Sequence, residues 1–393
     1  GDSPGIEMTH ECEFMGIRGI ENALITFRDV RVPKENLIGG EGRGLKIALT
    51  TLNTGRMTIP AGCTSAGQWC LAVVRRWAND RVQWGKPISR HESVAQMVTE
   101  IAARTFAMES VSELCALLAD RGRSDIRLEA AIAKLFNSDT AWDVADLAMT
   151  VRGGRGYETA KSLVRRGEPG IPLERVLRDL RINRIFEGSN EILRLFIARE
   201  AVDTHLKVAG DLIDPKASGG KKTAAMAKAG TFYATWYPQR WLGWGRWPQY
   251  SEFGPLADHV RYIERTSRKL ARAQFHAMMQ HQAKLERKQA LLFRLVDVGV
   301  ELFAMSASCS RAQMMVTDNP ADQGPYELAD IFCRRARRKI ANLFRAVSDN
   351  DDDRIYRVSR KVMEGSYDWL ENTYGLEEQI EALKKSEEPA GVG

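Results

Sequence analysis

The chain has 393 residues, 44% hydrophobic and 27% charged, enough apolar material for two or three domains with real cores, which excludes disorder throughout. Glycines number 32 and prolines 13, and no run approaches roughly eighteen consecutive apolar residues, so collagen-like and membrane-spanning chains are also excluded and a soluble globular protein is expected. The net charge of +6 is uneven: Pro215 to Arg294 holds 15 Lys or Arg against 4 Asp or Glu, leaving the remainder about five net negative.

The opening GDSPGIEMTHEC has neither a basic lead nor an apolar run and reads as a start in mid-domain. Residues 1–39 carry the clear strand signal, Ala23 to Phe27 followed by Val30 to Pro33. A fragment of two or three strands must pack on the helices after it or belong to a larger sheet. GGEGRG at 39–44 marks a boundary, after which Leu45, Ala48, Leu49 and Leu52 recur at helical spacing. Proline inside a helix removes a hydrogen bond and crowds the preceding turn, so Pro60 is expected to open a new helix over 61–80. A polar turn over 81–90 precedes helices over 93–120 and 125–149, the second stopped by Gly153, Gly154 and Gly156. After a looser stretch with Gly167, Pro169, Gly170 and Pro172, helical runs over 173–184 and 190–205 flank the tetrad Phe186-Glu187-Gly188-Ser189. The expected class is mainly α: a short β remnant over 1–39, then an antiparallel helical bundle over 40–205.

Residues 206–228, small, Gly-rich and Lys-rich, read as a linker. With the aromatic segment Phe232 to Phe253 they form a connecting region over 206–253. A further helical domain is expected over 254–393, with helices over 256–282, 284–316, 326–346 and 353–374 and a frayed end. Aromatics such as Trp236, Trp241, Trp244 and Trp247 beside a basic excess suit peripheral contact with an anionic membrane surface. Docking of these rings on the bundle is the preferred alternative, because no amphipathic surface helix is evident there. The basic run Arg334 to Lys339 lies among apolar helical positions and reads as a solvated face, so no nucleic-acid partner is expected.

Cys12, Cys63, Cys70, Cys115, Cys309 and Cys333 include no C-x-x-C pair, and the six histidines show no metal spacing. A reducing compartment, the cytoplasm, fits best; the thiols are expected in cores, and no metal site is expected. Neither G-x-S-x-G nor a P-loop is present, so nucleophilic hydrolysis and nucleoside triphosphate chemistry have no obvious seat. Glu187 remains, in a short loop between two helices. Beside Phe186 in an apolar pocket its pKa would rise, which suits a general base. The plain alternative is structural: Gly188 and Ser189 make a turn and helix cap, and Glu191 favours the first helical turn.

Six motifs run in order: Phe27 to Asn36 (FRDVRVPKEN), Gly42 to Leu45, Asn53-Thr54-Gly55-Arg56, Arg81 to Ile88 (RVQWGKPI), Gly153 to Tyr157 (GGRGY) and Arg175 to Ile192 (RVLRDLRINRIFEGSNEI). Together they resemble the acyl-CoA dehydrogenases, across residues 1 to about 205, with the nearest likeness to very-long-chain and large bacterial members. The resemblance implies an enzyme using FAD, with Glu187 as the base that takes the α-proton of a long-chain acyl-CoA while a hydride leaves the β-carbon, in fatty acid β-oxidation. The family's alternative base position is Gly55, which cannot act. It further implies flavin contacts by Arg81, Trp84, Gln96, Gly153, Gly154, Ser189 and Glu191, and acyl-CoA contacts by Asn53, Arg56, Phe186 and Gly188. Arg81 as a surface cation and Trp84 as a core residue are the plain alternatives. An electron-transfer flavoprotein as acceptor and a homodimer, in which the Arg81 and Gly153 segments serve the neighbouring subunit, complete the implication. Thr150 and Glu92 stand where the family often has Gln, and 161–172 looks like an insertion. In the family a helical domain and most of a β-domain precede the point where this chain starts. A non-catalytic assembly or binding protein on the same scaffold, or an acyl-CoA oxidase, is the competing reading. Residues 206–393 resemble, more loosely, the additional helical domain of the very-long-chain enzymes.

Overall fold

The computed structural model describes residues 3–122, 125–213, 218–245, 247–371 and 375–386. Strands β1 (Ile6–Glu11) and β2 (Ala23–Phe27) pair antiparallel. β1 escaped the sequence reading because its charged and polar residues mask the alternation, while Val30 to Pro33, expected as strand, is irregular. Met8, Leu24 and Phe27 of this ribbon are exposed. Its connecting loop is tied instead to the helices: Arg178 donates to the Met15 carbonyl at 2.6 Å, and Asp179 accepts from the Ile17 N–H at 2.6 Å. Any Cβ at Gly16 would stand 2.5 Å from the Arg178 carbonyl oxygen, so this close approach requires glycine.

The bundle is built from α1 (Gly44–Asp80), α2 (Glu92–Arg121) and α3 (Arg127–Arg152), which pack on one another. A two-residue hairpin, β3 (Val82–Gln83) with β4 (Lys86–Pro87), joins the first two. α2 ends at Gly122 and α3 at Gly153, both with positive φ, where the absence of a Cβ lets the chain turn out of the helix. The core joins Val74, Ile101, Met108, Val111, Leu135 and Val144. Pro60 does not open a helix; it lies inside α1, buried. Its own carbonyl accepts from Thr64 Oγ1 at 2.9 Å and Asn137 Nδ2 at 3.1 Å. Packing against α2 and α3 thus carries the helix through a residue that local propensity would place at its start.

The short helix α4 (Gly154–Tyr157) follows α3, and α5 (Ala160–Arg165) takes up the first part of the stretch expected as an insertion; Arg155 pairs with Glu168 at 3.0 Å and Arg166 with Glu158 at 2.8 Å. α6 (Leu173–Arg181) leads through a 3₁₀ turn at 182–184 into the tetrad loop, and α7 (Asn190–Ile213) leaves it. The expected linker is instead helical where it is described: α7 runs through 206–213, and α8 (Gly219–Leu242) takes up the rest. The first half of the aromatic segment, through Leu242, belongs to α8. Tyr233 and Trp236 pack on His205 of α7, and the Tyr233 hydroxyl lies 2.9 Å from His205 Nδ1. Phe275 of α9 (Ala257–His281) closes the cluster, so these rings dock on neighbouring helices, while Trp241 and Trp247 remain exposed. The side chain of Trp244 lies outside the described residues.

α10 (Gln289–Asp318) packs on α2, α7 and α9, and α11 (Gly324–Ser348) follows it. The basic run in α11 is not simply solvated. Arg335 pairs with Glu100 of α2, Lys339 with Glu301 of α10 at 2.6 Å, and Arg337 with Asp258 at 2.7 Å. Five cysteines are buried and Cys12 is half-buried. The chain divides into two compact units, through Phe344 and from Arg345. The second contains α12 (Asp352–Met363) and α13 (Leu376–Ser386); the helix expected through Tyr374 ends at Met363, and Tyr374 itself lies outside the described residues. Among the described residues no helix is long and apolar enough to cross a membrane, and no group of three His, Cys, Asp or Glu is placed to hold a metal.

Candidate active site

The tetrad loop turns sharply. Phe186 N–H still bonds back to Ile182 at 3.0 Å, but Glu187 has φ 55° and Gly188 φ 88°. Two successive left-handed residues reverse the chain within one step, and a non-glycine residue adopts that conformation only at some cost. Ser189 caps α7, its hydroxyl accepting from the Ile192 N–H at 3.4 Å, which is the helix-cap role the plain reading gave it. Glu191 is exposed in the first turn of α7, and Phe186 is 37% exposed at the rim.

The Glu187 carboxylate lies against α1 at Gly55. A Cβ on Gly55 would be 3.2 Å from Oε2 and 3.6 Å from Oε1, so the glycine makes room for the acid. Glu187 Oε2 is buried and accepts no hydrogen bond from the described residues. A buried acceptor without a donor is costly, and such groups gather where a ligand completes them. The surroundings are more charged than the apolar pocket expected. Arg56 interacts electrostatically with Glu187, its guanidinium stands 5.7 Å over the Phe196 ring, and burial lowers its pKa, an effect partly offset by the Glu187 charge. Gly188 adjoins Arg56 and Leu193. The side chain of Asn53 lies outside the described residues.

Beneath the loop is a residue the sequence reading passed over. Lys134 of α3 is 0% exposed, and its Nζ donates to the Gly188 carbonyl at 2.8 Å and to Asn190 Oδ1 at 3.0 Å. Burial pushes its pKa down to about 8, against the opposing pull of Asp139, Cys63 and Glu187. Asn190 Nδ2 donates to Asp139 Oδ1 at 2.8 Å, and Asp139 also holds Arg184 at 2.6 Å and Arg194 at 3.2 Å. Arg194 reaches on to Asp297 of α10 at 2.8 Å. The signal available in the sequence was a lone lysine in the apolar run Ala130 to Phe136.

The remaining expected contacts gather elsewhere. Arg81 caps the far end of α1 and bonds the Gln83 side-chain oxygen at 2.5 Å. Trp84 sits at the tip of the β3–β4 hairpin, with φ 50°, followed by Gly85 at φ 74°. It is 88% exposed, which removes the core reading, and the His91 ring stands edge-on to it at 5.3 Å. Gly153 and Gly154 belong to the same end: Trp77 donates from its indole to the Val151 carbonyl at 3.2 Å and accepts the Arg81 N–H at 2.9 Å. No atom lies within 4 Å of a Cβ built on either glycine, so the backbone there is open to close approach. Gln96 is exposed and leans on Glu92 at 3.4 Å, and the Thr150 hydroxyl is engaged by the Asp146 carbonyl at 3.0 Å. A half-buried cation, an exposed indole and uncluttered glycine backbone fit the diphosphate and adenine portion of a dinucleotide. This end is remote from Glu187, because the 25 residues from Gly55 to Asp80 at roughly 1.5 Å each give about 38 Å of helix.

Residues 42–202 match the acyl-CoA dehydrogenase C-terminal domain, and residues 255–367 match the ACAD9/ACADV C-terminal domain. The probable acyl-CoA dehydrogenase FadE10 of Mycobacterium tuberculosis is 53% identical over 382 residues, 97% of this chain and 58% of its own length. Human mitochondrial very long-chain specific acyl-CoA dehydrogenase is 32% identical over 359 residues, 88% of this chain and 52% of its own. In fold, the crystal structure of an acyl-CoA dehydrogenase complexed with FAD from Bacillus anthracis superposes with a TM-score of 0.71 at 24% identity, covering 91% of this chain and 60% of that one. The chain thus spans little more than half the length of the curated relatives it matches. With both domains in order and similarity along nearly its whole length, it belongs to the acyl-CoA dehydrogenase family.

Proposed function

We propose that this chain carries the proton-abstracting portion of an FAD-dependent dehydrogenase that converts long-chain acyl-CoA to the trans-2-enoyl thioester. The observation that carries the reading is the Glu187 carboxylate, poised over Gly55 with a buried oxygen that no group among the described residues satisfies. A thioester makes its α-hydrogen acidic, and a carboxylate aimed at that hydrogen from a rigid inter-helix turn removes it without prior rearrangement. When bound, the flavin supplies the acceptor for the β-hydride. Glu187 takes the α-proton onto its carboxylate, so that proton and hydride leave adjacent carbons and the double bond forms between them. The Glu187 backbone N–H is the donor assigned to the thioester oxygen, where charge develops as the proton leaves. Arg56 fits a role beside the acyl-CoA, and Phe186 and Gly188 border the reacting carbons. Ser189 and Glu191, next along the chain, would contact the flavin.

Arg81, Trp84, Gln96, Gly153 and Gly154 would hold the diphosphate and adenine end of a flavin, with Arg81 matching the diphosphate charge. Since about 38 Å of helix separates that end from Glu187, the flavin they hold would belong to a second copy of the chain, which supports a homodimer. Electrons would pass from the reduced enzyme to an electron-transfer flavoprotein. The test is Glu187→Gln in the flavin-loaded whole protein: turnover with palmitoyl-CoA should fall by roughly 10²–10⁴-fold while flavin content is unchanged. Unaltered turnover would remove Glu187 from its role, and with it the reading.

A further inference from the structure

We propose that Lys134 is a positioning residue for the base: its buried ammonium clamps the Gly188 carbonyl and the Asn190 side chain, and so holds Glu187 in the left-handed turn that aims its carboxylate at the substrate. This rests on Glu187 being the base. Three observations converge on it. Lys134 is wholly buried in an apolar stretch of α3, where an ammonium is expensive and a methionine of similar length would pack without that cost. Both of its hydrogen-bond acceptors lie within three residues of Glu187, at 2.8 and 3.0 Å, so the expense is directed at this loop. The loop needs restraint, since Glu187 at φ 55° would relax if nothing held the segment after it.

The clamp acts on backbone geometry. Gly188, at φ 88°, points its carbonyl inward to Lys134 while the preceding side chain points to Gly55. Without the ammonium, the Gly188 carbonyl loses its partner and is driven to turn toward solvent. That rotation carries the Glu187 Cα with it. Asn190, held on its other side by Asp139, prevents the loop from following as a rigid body. The groups whose charges bear on Lys134 are Asp139 on its own helix, Arg56 and Cys63 on α1, and Glu187 on the loop.

The experiment is single-turnover reduction of the bound flavin by palmitoyl-CoA in the whole flavin-loaded protein, comparing Lys134→Met and Lys134→Gln with Glu187→Gln. A displacement near 1 Å at a reacting group slows reaction by roughly 100-fold. Lys134→Met should therefore lower the reduction rate constant by about that factor while the bleaching amplitude and KM stay unchanged. The isotope effect with α-deuterated substrate should grow, because proton abstraction becomes more limiting. Lys134→Gln, which keeps one donor, should recover part of the rate. A purely architectural lysine would lower the amplitude, the fraction of competent enzyme, and leave the rate constant alone. That outcome, or failure of both variants to give a folded flavoprotein, would overturn the proposal. If Glu187→Gln keeps full turnover, the assignment of the base fails first. If it abolishes turnover while Lys134→Met reacts at the wild-type rate, the clamp alone fails.

Discussion

Lys134 makes the stability of the fold depend on pH in a way that can be worked out in advance. Its pKa is about 8 in the fold against 10.5 for an unperturbed lysine. Between those values the unfolded chain binds more protons than the folded one, so stability rises with pH through this window. At 1.36 kcal/mol per unit the full gain is about 3 kcal/mol. The side chain is 0% exposed, so solvent screening takes little from this figure. Burial acts in the opposite sense on Cys63, Cys70 and Cys115, whose thiols are pushed up to about 12 from 9.0. Above pH 9 the unfolded chain releases those protons and the folded chain does not, so stability falls by up to about 1.4 kcal/mol per unit for each thiol. From pH 8 to 9 the lysine therefore adds about 1 kcal/mol while the three thiols together remove a similar amount, and beyond pH 9 the decline dominates. Urea unfolding followed by tryptophan fluorescence, on wild type and Lys134→Met from pH 7 to 10, isolates the lysine as a difference between two curves. Wild type should stay nearly level from pH 8 to 9, whereas the variant, lacking the lysine's gain, should fall by about 1 kcal/mol over the same unit. Parallel curves through this range would refute the argument, because a buried lysine cannot titrate without leaving that difference.

Gly55→Ala places a methyl 3.2 Å from Glu187 Oε2, which should slow flavin reduction about fivefold by shifting the acid a few tenths of an ångström; the flavin content should not change, and a rate equal to wild type would show the carboxylate to be freely adjustable. Asn137 of α3 is buried, with its Nδ2 against the Pro60 carbonyl at 3.1 Å, the Met108 carbonyl at 3.0 Å and Ser112 Oγ at 2.9 Å. Asn137→Ala strips buried acceptors on α1 and α2 of a shared donor and should cost about 3 kcal/mol in urea unfolding, whereas a loss within experimental error would mean that the three helices do not depend on it.

Much of the helical architecture was legible because it rests on local chemistry. The positions of Leu45, Ala48, Leu49 and Leu52, the stop at Gly153 and the turn around Gly188 are consequences of periodicity and of backbone freedom at glycine. The pattern around Glu187, an acid between an aromatic residue and a glycine, was weak by itself and gained weight only from the ordered motifs about it. Where local preference and packing disagreed, packing won. Pro60 continues α1 because two neighbouring helices bury it, and the Lys-rich stretch read as a linker is helical because its aromatic continuation docks on His205 and Phe275.

The sequence by itself determined the helical class and the family, because each is written in neighbouring residues, and the resemblance they carry singled out Glu187 as the candidate acid. Only the tertiary structure decided what surrounds that acid. Lys134 stands 53 positions before Glu187 and Gly55 stands 132 before it, and nothing in local composition signals that α3 and α1 bring them to one loop. The separation of the Arg81 end from Glu187 is likewise a matter of helix length. The surroundings of Glu187 depend on contacts distant along the chain, and such contacts are chosen by how helices pack, which no short stretch of residues specifies.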